Sequence, residues 1–564
     1  MRRFSFGVVI ALFLTTQARA ELAPVRYVLS PVIEKGALRA LAVDIDFKAD
    51  LSGVTRLRFF DHVESEKRPG RYAEDLVITG ADRVTPLDGD QTEIRSAPGA
   101  PLHARYRIRS GYAAPPTTQD VDQTRPIILP DWFYTAGEMV FAFPAGRRDA
   151  PATFTWAGAP EGFAFDSNLT HPGARTVEDI LHSILIGSPR LRTIRGGGRD
   201  AGLRIAALGA FDRFDDPAFA EAAFAVVRAE RAFWGDRARA PFLIALAPLR
   251  TQVFESYSGR GLDGAFALWV GTSLTLKEVL PLLAHEHFHA WNPAQLGAQD
   301  ADRSSAWLSE GFTDFYTKRM LLRAGMMDLP AYVASWNEWL RAYGVSPARN
   351  APEARIAQAY WTDHDVEEIT YKRGAMLAAL FDAQLRRSGK SLDAVMREMR
   401  SRYRHAPESR LRVNFEAAFQ TVAGRSALAD IDRYETRGET LSLPTDAFAC
   451  LQLRTVTQPA FDLGFDADAT AEAGHFTGVD PAGPAYAAGL RDGMTRLGRE
   501  GGAMNDSSVE IVYRVTDATG QERVIRYRPV GKTMVTFQRL EVPAGLSPAR
   551  TRACVRTLGG PGAR

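Results

Sequence analysis

The sequence predicts a multidomain α+β protein: an N-terminal antiparallel β domain, a mostly helical middle domain that also holds strands, and a C-terminal β module. Three observations predict it. At 564 residues the chain is too long for one ordinary core. Apolar and polar residues alternate between Gly, Pro and Asp turn signals over the first third, and a second β-rich stretch begins at Leu451. Between them the apolar spacing turns helical, and one stretch carries three of the ten histidines within five residues. Hydrophobic content of 45% and charged content of 24% are those of a globular protein, which excludes fibrous and disordered classes. The net charge of +2 comes with arginines scattered rather than clustered, which argues against a nucleic-acid groove.

Residues 1–20 read as a signal peptide. Arg2 and Arg3 form its charged end, Phe6 to Leu14 its apolar stretch, and Ala18-Arg19-Ala20 its cleavage site. That stretch is too short to span a bilayer, and no later run of about 18 uncharged apolar residues exists. The expectation is an exported chain, periplasmic or secreted, with no membrane span after cleavage. The remaining divisions are 21–190 for the β domain, 191–445 for the middle domain and 446–564 for the C-terminal module and tail. Cys450 and Cys554 are the only cysteines and bracket that module. In an oxidising compartment they are expected to pair, with two free thiols as the alternative.

Within the β domain, Leu38 to Phe47 and Leu102 to Ile108 alternate with period two and carry no evident chemistry. Arg195-Gly196-Gly197-Gly198-Arg199 marks a boundary and matches no phosphate-loop pattern. A strand at Leu203, an alanine-rich helix from Asp216 to Trp234 and a strand at Phe242 lead to an edge strand through Gly261, Leu262, Asp263 and Gly264.

The next helix carries the chemistry. Thr275 and Glu278 match a capping box, yet Pro281 lies inside the helix they would open. Either the helix starts afresh near Pro281 or it kinks there. His285, Glu286 and His289 spell H-E-x-x-H. Residues four apart stack on one helical face, so the two imidazoles can reach one metal ion, and Glu286 can act on water without being a ligand. A catalytic zinc needs a third protein ligand. Glu310, set among Trp307, Leu308, Phe312 and Phe315, is an acidic group on an otherwise apolar helix and supplies the candidate. Asp314, one turn on, is either a partner for a ligand imidazole or a solvated carboxylate. The stretch from Ile369, which includes Tyr371, opens an amphipathic helix running through Leu385, and residues 426–448 read as a polar connector. No G-x-S-x-G occurs, and neither cysteine lies near a histidine, so nucleophilic catalysis has no support.

These residues resemble the gluzincin zinc metallopeptidases, specifically the glycyl aminopeptidase family with its C-terminal PDZ domain. His285, Glu286, Phe288, His289, Trp291 and Asn292 match H-E-x-F-H-x-W-N; Trp307, Ser309, Glu310, Gly311, Phe312 and Thr313 match W-x-S-E-G-F-T. The resemblance implies a thermolysin-like catalytic domain, zinc held by His285, His289 and Glu310, Glu286 as general base and Tyr371 as donor to the oxyanion. It also implies that the edge strand binds substrate through Gly261 and Asp263. The family carries G-L-E-H where this chain has Gly261-Leu262-Asp263-Gly264, so the carboxylate that would grip a free amine is one methylene shorter. Leu463, Gly464 and Phe465 resemble the carboxylate-binding loop of PDZ domains, and Gly483 to Gly493 their helix entry. Together these imply an exported zinc aminopeptidase removing small N-terminal residues, glycine or alanine, from peptides, with peptide C-termini as possible partners of the C-terminal module. The rival readings are a non-catalytic exported scaffold on a metallopeptidase platform, and an endopeptidase.

Overall fold

A computed structural model describes residues 23–63, 66–114, 125–236, 240–249, 257–262 and 264–560. The expected signal peptide and Asp263 lie outside the described residues. No helix among them is long and apolar enough to cross a membrane.

Two compact units result. The first comprises the described parts of Met1–Gly111, Thr124–Glu161 and Leu169–Ser183. Its main sheet has six strands. β1 (Val25–Glu34) and β2 (Ala37–Lys48) form a hairpin; β3 (Ala73–Thr79), β4 (Pro101–Arg109), β5 (Pro151–Trp156) and β6 (Arg175–Thr176) complete the order β6-β5-β1-β2-β4-β3. Alternation decides which face is buried: Val25, Tyr27 and Leu29 point inward along β1, and Leu102, Ala104, Tyr106 and Ile108 along β4. The expected antiparallel sheet holds with one correction, since β1 and β5 run parallel from Val25/Ala152 to Leu29/Trp156. Such a pair needs a long crossover, and residues 35–150 supply it.

The second unit holds the helical domain and the C-terminal module. Its five-stranded sheet comprises β7 (Arg192–Arg195), β8 (Leu203–Ala207), β9 (Phe242–Leu249), β10 (Tyr257–Leu262) and β11 (Ala265–Gly271), in the order β7-β8-β9-β11-β10. β8, β9 and β11 are buried along nearly their whole lengths, the continuous apolar pattern of covered strands. α1 (Asp216–Trp234), capped by Asp215, makes the crossover from β8 to β9 and packs on the sheet through Phe219, Ala223, Val226 and Val227. β10 is the edge strand, antiparallel to β11. α2 (Leu276–Phe288) follows and runs unbroken through Pro281. The Glu278 carboxylate accepts from the Thr275 amide at 2.8 Å, so the helix starts at its capping box and not afresh at the proline.

A π-helical turn, Trp307–Gly311, leads into α3 (Phe312–Ala324). α4 (Leu329–Val345), α5 (His364–Arg387), α6 (Leu392–Tyr403) and α7 (Leu411–Ala423) enclose an aromatic-rich core around Trp307, Trp336, Phe381 and Phe415. The helix expected to open at Ile369 opens earlier, at His364, because the Asp363 carboxylate accepts from the amides of Asp365 and Val366. The predicted polar connector is also partly inside: Tyr434, Glu435, Leu441 and Leu443 are buried.

In the C-terminal module, β12 (Gln452–Phe461) pairs along its length with β16 (Val530–Glu541), and β13 (Thr495–Gly501), β14 (Ile511–Thr516) and β15 (Glu522–Tyr527) form a three-stranded sheet. The module has a small core of its own, around Phe476, Leu490, Ile511, Val515 and Tyr513. Yet Leu453 and Leu540 join the core of the helical domain, together with Cys554 and Leu558 of α8 (Pro548–Gly559). A disulfide links Cys450 to Cys554, with Cα atoms 5.5 Å apart.

Candidate active site

α2 presents His285 and His289 on one face, and the π turn aims Glu310 at them. The extra residue of a π turn rotates the side chains that follow, a device found often at functional sites. The two Nε2 atoms are 3.0 Å apart. Glu310 Oε2 lies 3.4 Å from one and 3.3 Å from the other. His285 Nδ1 faces Asp314 Oδ1 at 2.8 Å, and His289 Nδ1 faces the Asn292 carbonyl at 2.7 Å. When neutral, each ring spends its proton on that Nδ1 contact and turns an unprotonated Nε2 inward. Two nitrogen lone pairs and a carboxylate oxygen then converge with no proton among them, which suits a cation. A triangle of this size has its centre roughly 2 Å from each corner, the bond length of zinc to imidazole and carboxylate. Among the described residues this is the one such group of His, Cys, Asp and Glu side chains, its ligand atoms all within 4.8 Å of one another.

The charges agree. Burial works against ionisation of Glu310, but His289 and His285 hold its carboxyl well below the usual range, so it stays an anion. Burial likewise works against charge on His285, yet Asp314 and Glu310 favour a positive centre there strongly enough to raise it. His287 differs. It points to the opposite side of α2, where its Nδ1 meets Glu230 Oε2 at 2.6 Å, fully enclosed; burial lowers its pKa to about 3 and keeps it neutral. It is a packing residue.

Three fastenings hold the cluster. Asn292 donates from Nδ2 to the Leu308 and Ser309 carbonyls and to Thr313 Oγ1, at 3.0, 3.2 and 3.0 Å, so the chain after α2 is tied to the π turn. Arg303 donates to Glu310 Oε1 at 2.7 Å and to the Tyr360 hydroxyl at 3.1 Å, its guanidinium lying over the rings of Tyr360 and Trp361. Tyr360 in turn neighbours Tyr371, and each phenol affects the ionisation of the other. The third fastening is a backbone contact between glycines. A Cβ on Gly311 would fall 2.4 Å from Gly374 Cα, and one on Gly374 would fall 2.2 Å from the Trp307 carbonyl oxygen. Only two glycines let α5 lie this close to the π turn, and the approach sets Tyr371 beside His285, ring centroids 6.0 Å apart. Burial and the nearby Glu310 raise the Tyr371 phenol well above its ordinary value, so it remains a donor.

Glu286 is not among the converging ligands. It faces β10, where a Cβ at Gly259 would come within 2.9 Å of its Cγ and one at Gly261 within 3.4 Å of its Oε2. The glycines therefore make room for this carboxylate. Glu286 lines both a cleft of about 1070 Å³, with His285, Tyr371 and Gly259, and a smaller cavity of about 340 Å³, with His289, Gly261 and Leu262.

The structure thus brings His285, Glu286, His289, Glu310, Tyr371 and Gly261 together. Leu463, Gly464 and Phe465 lie in the C-terminal module. There Gly464 has φ of 72° and spends its amide on Asp462 Oδ1 at 2.8 Å, and Phe465 packs on Phe476. Sequence reasoning missed Arg303 and Tyr360, which no motif marks. The proximity of Arg303 to the second motif was the one available signal.

Residues 278–376 match the family described as M61 glycyl aminopeptidase, a segment that contains the three converging ligands, Glu286 and Tyr371. No curated protein shows significant similarity to the chain. Among solved structures, the aminopeptidase N family protein from Idiomarina loihiensis is similar over 94% of this chain and 100% of its own, with a TM-score of 0.68 at 12% identity. An M1 zinc metallopeptidase from Deinococcus radiodurans aligns over 75% of this chain and 95% of its own, with a TM-score of 0.47 at 15% identity. The first likeness is one of fold. The family match, laid over the converging ligands, supports a metallopeptidase, a hydrolase of the aminopeptidase type, and the His-His-Glu group fits zinc.

Proposed function

We propose that the protein is an exported zinc-dependent aminopeptidase that removes small N-terminal residues, glycine or alanine, from peptides. The observation that carries this is the convergence of His285, His289 and Glu310 with Glu286 left unliganded beside them. Zinc held by those three residues supplies Lewis acidity toward the scissile carbonyl and toward water. Glu286 takes the proton of the attacking water and returns it to the leaving amine as the C–N bond breaks. Tyr371, protonated at any working pH, donates to the oxygen that becomes negative, a task suited to a group that carries no charge of its own. Gly259 and Gly261 leave the β10 backbone open for pairing with an extended substrate, and Asp263, next along the chain, is the carboxylate we assign to the substrate's free amine. The signal sequence at residues 1–20 supports export, and the motifs at Leu463–Phe465 and Gly483–Gly493 support a PDZ-like reading of the C-terminal module.

The test is release of fluorophore from glycyl and alanyl amides by zinc-loaded protein, beside the same peptides with blocked N-termini. Turnover of the free amines alone, abolished in Glu286→Gln with zinc retained, is the expected result. Cleavage of blocked peptides would make the protein an endopeptidase. Bound zinc without Glu286-dependent turnover would make it a scaffold.

A further inference from the structure

The 1070 Å³ cleft has two walls of different origin. One carries Gly259, Glu286 and Tyr371; the other comes from the C-terminal module and includes Arg499, Asp506 and Arg539. That second wall is fixed in place. Asn337 of α4 donates to the Leu540 carbonyl at 2.9 Å and accepts from the Leu540 amide at 2.6 Å. Arg341 binds Asp506 at 2.8 Å. Gly344 has no room for a side chain, since a Cβ there would fall 2.4 Å from Phe537 Cβ. The module is therefore built into the cleft.

The run of β10 says which end of a peptide meets that wall. Gly259 lines the large cleft, whereas Leu262 and Gly264 line the small cavity on the other side of Glu286. A substrate lying along β10 and attacked beside Glu286 has one end in each. Position 263, assigned to the amine, directly follows Leu262, so the leaving part of the peptide extends past Gly259 toward the module. Carboxylates line this cleft as well, Glu338, Glu367 and Glu368 among them, and its cations differ in how they are held. Arg341 is spent on Asp506, and Lys318 rests over the Trp339 ring, 3.8 Å from its centroid. Arg499 and Arg539 are exposed in the cleft wall, and neither has a carboxylate partner among the described residues.

We infer that Arg499 and Arg539 form a subsite for the C-terminal carboxylate of the substrate, so that the preferred substrates are short peptides with a free carboxylate. The inference rests on the aminopeptidase reading. The cleft volume of about 1070 Å³ suits an oligopeptide, lying just above the range of small-ligand sites. Guanidinium is the planar donor that carboxylates match.

The experiment compares tri-, tetra- and pentapeptides with N-terminal glycine or alanine, each as free acid and as C-terminal amide, on the full zinc-loaded protein. The wild type is expected to favour at least one acid over its amide by about tenfold in kcat/KM, expressed in KM, the size of one charge-assisted hydrogen bond. In Arg499→Ala/Arg539→Ala the ratio of acid to amide is expected to collapse toward one, and high salt is expected to erode it in the wild type. The single variants Arg499→Gln and Arg539→Gln, at exposed positions, give the same reading if the double variant folds poorly. Equal rates for acid and amide in the wild type overturn the subsite and leave the aminopeptidase intact, as does a preference that survives in the variants. Hydrolysis of neither form overturns both.

Discussion

Substituting Gly374 by alanine adds one methyl group to α5, where the structure has no space for it. The new Cβ would stand 2.2 Å from the Trp307 carbonyl oxygen and 2.9 Å from Gly311 Cα. Ordinary van der Waals contact begins at 3.4 Å, so helix and π turn must part by roughly 1 Å, and both obstacles are backbone, which cannot rotate away. Overpacking of this kind costs about 1–3 kcal/mol of stability. The functional cost is larger. Glu310 sits one residue before Gly311, and Tyr371 three before Gly374, so the parting moves the proposed third zinc ligand and the proposed oxyanion donor away from each other. A misplacement of about 1 Å costs on the order of 100-fold in rate. The assay is kcat for glycyl amide hydrolysis, measured well below the unfolding midpoint, with zinc content per chain determined on the same sample. The expected result is a folded variant with kcat lowered by about two orders of magnitude. Wild-type kcat with full zinc would show that the contact between glycines does not position the site.

Four further perturbations follow from the same geometry. Tyr371→Phe removes the hydroxyl proposed to donate to the oxyanion, so kcat should fall about 10²- to 10³-fold with zinc affinity unchanged, as equilibrium dialysis would show. Arg303→Met frees one oxygen of Glu310 and uncouples it from Tyr360; zinc affinity is expected to drop about 10- to 100-fold, read by competition with a chelating dye. Arg373→Met leaves Glu435 buried without its guanidinium, now held at 2.8 Å, and should cost about 3–5 kcal/mol in denaturant unfolding while zinc ligands stay in place. Reduction of Cys450–Cys554, which spans 104 residues, should lower stability by about 4.7 kcal/mol in the chain-entropy account, read as a thiol-dependent fall in Tm.

The convergence of the site's side chains was legible because most of it is local. His285, Glu286 and His289 lie on one helix, where spacing alone fixes which side chains share a face, and Glu310 is betrayed by its apolar neighbours. The parts that escaped depend on distance in the chain. Arg303 reaches Glu310 from a loop where its own backbone takes a φ of 61°, a conformation the residue type does not announce. Gly311 and Gly374 are sixty-three positions apart and only meet once two helices have packed. Residues 426–448 look like a solvated connector because Glu435 is charged, yet it is drawn inside by Arg373, and polarity misleads wherever a distant partner waits. The start of α5 was placed too late because the apolar stripe begins after the cap at Asp363. Over Leu38 to Phe47 and Leu102 to Ile108 the alternation revealed strands, but nothing in it could show that β5 joins β1 in parallel, since side-chain period carries no information on partner direction. Likewise the β-rich pattern after Leu451 showed strands without showing that Leu453 and Leu540 would seal the core of the helical domain.

The measurement that bears most directly on the central claim is anomalous scattering at the zinc edge from crystals of the zinc-loaded protein. One peak per chain is expected, at about 2.0–2.2 Å from His285 Nε2, His289 Nε2 and a Glu310 carboxylate oxygen, absent in Glu310→Gln. A peak that leaves Glu310 unliganded, or one that persists unchanged in Glu310→Gln, would contradict the account.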